Sequence, residues 1–278
     1  MSPDASTAAP ELTQEARGAA PGRGRLDGRQ VLVIGGGQND YGLEDPPMGN
    51  GRAMCTLFAR EGAAVAVGDI DEASAKATAA LVRDEAGTAE VMVGDGTDED
   101  SVQRMVSGAA EALGGLDGLV LNIGSGAGFH LSGTSAEDWD NTMATNLRSA
   151  FLGCKHGLAA MDSGAILLIG SVAAREVLPI PAYGASKAGL ESLCRQAAME
   201  GAPHVRVNLV VPGLIDTSLG RLATQVSPDR GRVRIPLRRE GTAWEVAYAA
   251  LFMLSGESSY LTGQSIILDG GLTVAPRA

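Results

Sequence analysis

The stretch "VLVIGGGQNDYGLEDPPMGNGRAM" (residues 31–54) decides how the rest of the chain is read. Residues 31–34 are a short aliphatic run of the kind that forms a strand buried on both faces. Gly35, Gly36 and Gly37 supply a turn after it, and Gly49, Asn50 and Gly51 open a helical pattern. Strand, glycine turn and helix N-terminus are the parts of a dinucleotide-binding loop, where missing side chains let a pyrophosphate approach the backbone. Between the two glycine clusters lie residues 38–48, with Pro46, Pro47 and the acids Asp40, Glu44 and Asp45. The stretch is therefore either an interrupted dinucleotide site or a glycine-rich loop that resembles one. Residues elsewhere in the chain must choose.

Outward from it, short apolar runs alternate with longer helical patterns. Strands are expected at 64–67, 90–93, 119–121, 165–169, 205–210 and 265–268, and helices at 51–61, 72–85, 98–113, 136–158, 183–200 and 243–254. Such alternation means βαβ units: an α/β fold with a doubly wound parallel sheet (a Rossmann fold) in a single domain over 26–278. Residues 1–25 are rich in Ala, Gly and Pro without apolar periodicity and read as a disordered tail.

The chain has 278 residues, 45% of them hydrophobic, and a net charge of -11. That acidity disfavours nucleic acid and anionic membrane as partners, since phosphate binding needs a basic face, and it leaves a small molecule. No apolar run approaches the ~20 residues of a membrane span and no signal-peptide core is visible, so a soluble, cytoplasmic protein is expected. Cys55, Cys154 and Cys194 show neither disulfide nor zinc spacing, and His130, His156 and His204 are scattered, so no metal is expected.

Ligands of a doubly wound sheet bind beyond the carboxyl ends of its strands. Asp69 follows the second strand, 18 residues past Gly51, close to the ~20 at which an acid meets the adenosine ribose hydroxyls. A carboxylate there repels a 2′-phosphate and favours NAD over NADP. Asp71 serves the next helix as its cap, leaving Asp69 for the cofactor. In "GSVAAREVLPIPAYGASKAGL" (170–190), Tyr183 and Lys187 stand one turn apart on one helical face. An ammonium beside a phenol favours the phenolate, which suits the tyrosine to general acid–base work. The chain has only three lysines (Lys76, Lys155, Lys187) against 19 arginines, so lysine at this position points to a need for a compact ammonium.

Taken in order, "RLDGRQVLVIGGG", "VGDGTDEDSV", "LDGLVLNIG", "TNLRSAF", Ser171, Tyr183-x-x-x-Lys187, "VRVNLVVPGLIDT" and "YLTGQSIILDGG" resemble the short-chain dehydrogenase/reductase family over nearly everything after the tail. The resemblance implies an NAD-dependent oxidoreductase that interconverts a secondary alcohol and a ketone. It implies that Tyr183 exchanges the substrate proton and Ser171 binds the substrate oxygen. Lys187 would hold the nicotinamide ribose and lower the tyrosine pKa, while Asn146 positions a relay water. Asp95, Asn122 and Gly124 fall at cofactor positions, and Pro212, Gly213, Ile215 and Thr217 fall where the family cradles the carboxamide. It also implies a homo-oligomer, a tetramer built on the mid-chain helices with "SAFLGC" and "AGLESLC" and on the C-terminal segment.

The chain departs from the family pattern at 38–48, expected to be a flap folded outward with its acids in solvent. The resemblance answers the opening question as an interrupted dinucleotide site. Two other readings stand beside the leading one. An enoyl reductase of the same superfamily would explain a stretched glycine loop, though its Tyr and Lys are usually more widely spaced. A catalytically inactive nucleotide-sensing protein would need no tetrad. The segments expected to wall the substrate pocket are mostly apolar, and Arg175 either meets an acidic substrate group or faces solvent.

Overall fold

A computed structural model of the chain describes residues 11–226 and 235–275. Seven parallel strands form one sheet in the order β3-β2-β1-β4-β5-β6-β9. They are β1 (Gln30–Ile34), β2 (Ala64–Asp69), β3 (Ala89–Val93), β4 (Gly118–Leu121), β5 (Gly164–Ile169), β6 (Val205–Pro212) and β9 (Ser265–Leu268). A separate pair, β7 (Ile215–Asp216) and β8 (Gly241–Thr242), lies beside them. The order reverses between β1 and β4, which is the switch point where ligands of such sheets bind.

The apolar runs without alternation follow from a sheet covered on both faces. Val31 and Val33 point into one buried cluster, shared with helices α1 (Asn50–Arg60), α2 (Glu72–Asp84) and α8 (Ala243–Leu254). Leu32 and Ile34 point into the other, shared with α3 (Glu99–Leu113), α5 (Ser149–Ala160) and α6 (Pro181–Gly201). Two side-chain directions per strand, both apolar, give a continuous hydrophobic word. Helix starts follow local capping chemistry: Asp71 accepts from Ala73 N and Ser74 N, and Asp98 from Ser101 N.

The long helix expected over 136–158 is instead α4 (Ala136–Met143), a π turn over Ala144–Arg148, and α5. The reason is tertiary. The π turn carries Asn146, 1% exposed, to a place where Ser125 and Ser186 engage its amide.

The expectation of a disordered 1–25 does not hold for the part described. Residues 1–10 lie outside the described residues, but 11–25 pack against α1 and α8. Glu61, 0% exposed, accepts hydrogen bonds from Arg23 N and Arg25 N at 3.0 Å and from Arg25 Nη2 at 2.6 Å. The Arg60 guanidinium reaches Gly18 O and lies 5.0 Å from the Trp244 ring, while Thr242 Oγ1 donates to Ala16 O. A segment without apolar periodicity is thus ordered by polar contacts to a buried carboxylate, which composition does not reveal.

Candidate active site

The glycine turn between β1 and α1 is built for close approach. Gly35 has φ +82°, and a side chain on Gly51 would place its Cβ 1.9 Å from Gly35 O. Asn122 Nδ2 donates to Gly35 O at 2.8 Å, tying the end of β4 to this turn. Gly36 is buried beneath it. The first turn of α1, from its N-cap Gly49, holds no acid and no side-chain cap, and Asn50 Oδ1 is a buried acceptor with no partner among the described residues. Open backbone N–H groups at a helix N-terminus beside a buried acceptor suit a pyrophosphate flanked by sugar hydroxyls, so the donor set fits a dinucleotide.

Asp69 sits at the end of β2 as expected but is not left unengaged by Asp71. Its Oδ2 accepts from Gly37 N at 2.9 Å and its Oδ1 from Asp71 N at 3.1 Å. These bonds fix the carboxylate against the glycine turn and leave one lone pair on each oxygen. Asp95, just past β3, accepts from Thr97 N and Thr97 Oγ1 at 2.8 Å through Oδ1 alone.

Helix α6 brings Tyr183 and Lys187 together, the ammonium 5.7 Å from the centre of the tyrosine ring. Lys187 is 3% exposed, and its Nζ donates to Ile169 O at 3.0 Å and Ile123 O at 3.3 Å. Among the described residues it has no carboxylate partner, and burial pushes its pKa down from 10.5 to about 8. Gly124 clears space for the ammonium, since a Cβ there would stand 3.2 Å from Nζ. Gly126 packs against the Tyr183 ring in the same way.

Ser171 follows β5 and accepts from Ala173 N at 3.2 Å, which leaves its O–H to donate. Asn146 is more committed. Its Oδ1 accepts from Ser125 N, and its Nδ2 donates to Ser125 O and Ser186 Oγ, so both amide hydrogens are in use. Beyond β6, Gly213 N donates to Leu268 O, and Thr217 Oγ1 caps α7 (Ser218–Val226) by accepting from Gly220 N. Ile215 is 6% exposed with its side chain in the core, so only its backbone can face a ligand.

The structure adds residues that the sequence did not single out. Ser125 and Ser186 hold Asn146, and Ser74 exchanges hydrogen bonds with the backbone of Gln38. None belongs to a spacing pattern that would mark it. Arg175, left open above, donates to Glu191 at 2.8 Å, so its charge is already answered. The acids Asp40, Glu44 and Asp45 of the insert are exposed, as expected. Its path is not simply outward, because the second half of the insert is bonded to the α7 segment. The three cysteines are buried and not in disulfides, and burial raises their thiol pKa values, which disfavours the thiolate. Among the described residues no cluster of His, Cys, Asp or Glu could hold a metal, and no helix is long and apolar enough to cross a membrane.

Comparisons with known proteins agree with the fold. Residues 47–273 match the family model described as Enoyl-(Acyl carrier protein) reductase, a match that begins inside the insert. The chain is 33% identical over 260 residues to 2-(S)-hydroxypropyl-CoM dehydrogenase 3 of Xanthobacter autotrophicus, covering 90% of this chain and 98% of that one. It is 33% identical over 255 residues to the 3-oxoacyl-[acyl-carrier-protein] reductase of Thermotoga maritima, covering 90% and 100%. A short-chain dehydrogenase/reductase structure from Burkholderia xenovorans superposes with a TM-score of 0.84 at 37% identity, covering 92% of this chain and 100% of that one.

Proposed function

Because this chain belongs to the short-chain dehydrogenase/reductase family of oxidoreductases, we propose that it interconverts a secondary alcohol and a ketone, with NAD preferred over NADP. The observation that carries this reading is Lys187, a buried ammonium one helical turn from Tyr183 with carbonyls rather than a carboxylate around it. A cation kept where burial disfavours it marks a functional site. NAD, when bound, supplies the hydride acceptor for alcohol oxidation, and NADH the donor for the reverse.

In the oxidative direction Tyr183, as phenolate, would take the substrate hydroxyl proton from oxygen while the carbon that bears the hydroxyl gives up its hydride to the cofactor. Ser171 donates its O–H to the substrate oxygen and holds it in place. The Lys187 ammonium stabilises the phenolate that Tyr183 must present and offers hydrogen bonds to a ribose. Asn146, gripped by Ser125 and Ser186 with both amide hydrogens in use, positions through an oxygen acceptor the water that returns the proton to solvent. Gly35, Gly36, Gly49, Asn50 and Gly51 receive the pyrophosphate side, Asp69 the adenosine ribose and Asp95 the adenine side, while Asn122 and Gly124 line the cofactor after β4. Pro212, Gly213, Ile215 and Thr217 receive the carboxamide. The reading extends to a cytoplasmic homotetramer. It is supported by three unpaired cysteines and by the half-exposed Phe151 on α5.

Steady-state kinetics at 340 nm over a panel of secondary alcohols and ketones tests it. Tyr183→Phe should lower kcat by ~10²–10⁴ with little change in NAD affinity. Asp69→Ala should erode the NAD preference. Near-full turnover by Tyr183→Phe, or a higher kcat/KM with NADP in the unmodified chain, would refute the corresponding part. The matched family description favours one second reading, an enoyl reductase. Oxidation of NADH by an enoyl thioester, with every ketone inert, would select it.

A further inference from the structure

The insert has contacts that the proposed chemistry does not use. One side chain joins its ends: Gln38 Oε1 accepts from Gly49 N at 2.7 Å. The Gln38 backbone is held at the head of α2, where Ser74 Oγ donates to Gln38 O at 2.8 Å. The far half of the insert is held by the α7 segment. Arg221 Nη1 donates to Asp45 O at 3.2 Å and Ser218 Oγ to Pro47 O at 3.5 Å. The Arg221 guanidinium is aimed by Asp216, with Nε 2.7 Å from Oδ1 and Nη2 3.0 Å from Oδ2. Met48 then packs against the core and returns the chain to the first turn of α1.

The insert therefore runs from the head of α2 to the head of α7 and back to the open N–H groups of α1. Asp69 and the glycine turn adjoin its first end, where Gly37 N donates to Asp69, and the segment 212–217 leads into its α7 end. Backbone carbonyls of the insert accept the hydrogen bonds from α7, while Asp40, Glu44 and Asp45 stay exposed, Asp45 close enough to Arg221 to act on its charge. Among the described residues two hydrogen bonds tie it to α7, one from an exposed guanidinium, and contacts of that strength break and re-form readily.

We infer that residues 38–48 form a strap held across the cofactor opening by Arg221 and Ser218, and that this strap slows departure of the dinucleotide. The inference rests on the NAD(H) reading above. Arg221 acts as a positioning residue: it touches the strap, and Asp216 sets its direction.

The test is stopped-flow fluorescence of NADH release, which needs no turnover. Arg221→Ala should release NADH about tenfold faster, the order expected for losing one hydrogen bond to a charged group. Arg221→Lys keeps a donor and a charge beside Asp216 and should recover part of the slow release. Chymotrypsin gives a second readout at Tyr41, which is 40% exposed on the strap. NADH should protect that bond in the unmodified chain and much less in Arg221→Ala. Ser218→Ala serves as the second variant should Arg221→Ala fail to fold. Release within twofold of the unmodified rate in a variant with an unchanged melting profile overturns the strap while leaving the dinucleotide reading intact. No NADH binding by the unmodified chain overturns both.

Discussion

Replacing Lys187 by Met should abolish turnover and yet leave the folded chain no less stable. The Lys187 ammonium is 3% exposed, and burial pushes its pKa from 10.5 to about 8. A fall of that size makes the charged form cost about 3 kcal/mol in the fold at pH 7. Met follows the same unbranched path without the charge. Against this gain, Ile169 O and Ile123 O each lose a donor, at about 1 kcal/mol apiece. The balance is about 1 kcal/mol in favour of Lys187→Met, a rise in Tm of about 2–4 °C for a chain of this size.

The sign with pH is definite. The folded chain gives up this proton near pH 8, and the unfolded chain keeps it until near 10.5. The unfolded state therefore binds more protons between those values, and the unmodified chain gains stability as pH rises through them. Lys187→Met lacks that gain, so its advantage should shrink above pH 8 and reverse near pH 9. Differential scanning calorimetry of the two cofactor-free proteins at pH 7, 8, 9 and 10 measures this directly. A variant that melts more than about 5 °C lower at pH 7, with a gap that does not change with pH, would refute the reasoning. The ammonium would then be a structural bond rather than a tension kept for chemistry.

Two further outcomes follow from the same kind of accounting. For Glu61, burial alone would raise the carboxyl pKa, but Arg25 and the amides of Arg25 and Arg23 outweigh it and hold it below the ordinary value. Its contribution should be present above about pH 4.5 and lost as pH falls through the lowered value. Glu61→Gln should cost about 2–3 kcal/mol at pH 7 by calorimetry and expose residues 11–25 to proteases; unchanged stability and protection would count against the ordering role. Light scattering at micromolar concentration should report a tetramer, and Phe151→Asp should dissociate it through a half-exposed apolar position; a monomeric unmodified chain would remove that proposal.

The parallel sheet and its order of helices were legible because the strands carry apolar residues in both side-chain directions, and several helices a local cap such as Asp71 or Asp98. The pairing of Tyr183 with Lys187 was legible for the same local reason, since four residues make about one helical turn. These features depend only on neighbours along the chain, and sequence determines them by itself. Tertiary structure decided the rest. The π turn at Asn146 exists because Ser125 and Ser186 meet it from other elements. Asp69 is braced by the turn after a different strand, and the order of residues 11–25 depends on a carboxylate at the far end of α1. The insert was visible as an interruption, but its direction was not, because Arg221 and Ser218 lie more than 170 residues from Asp45 and Pro47. Hydrogen bonds between single polar groups leave no periodic mark, so only the folded chain could bring these partners together.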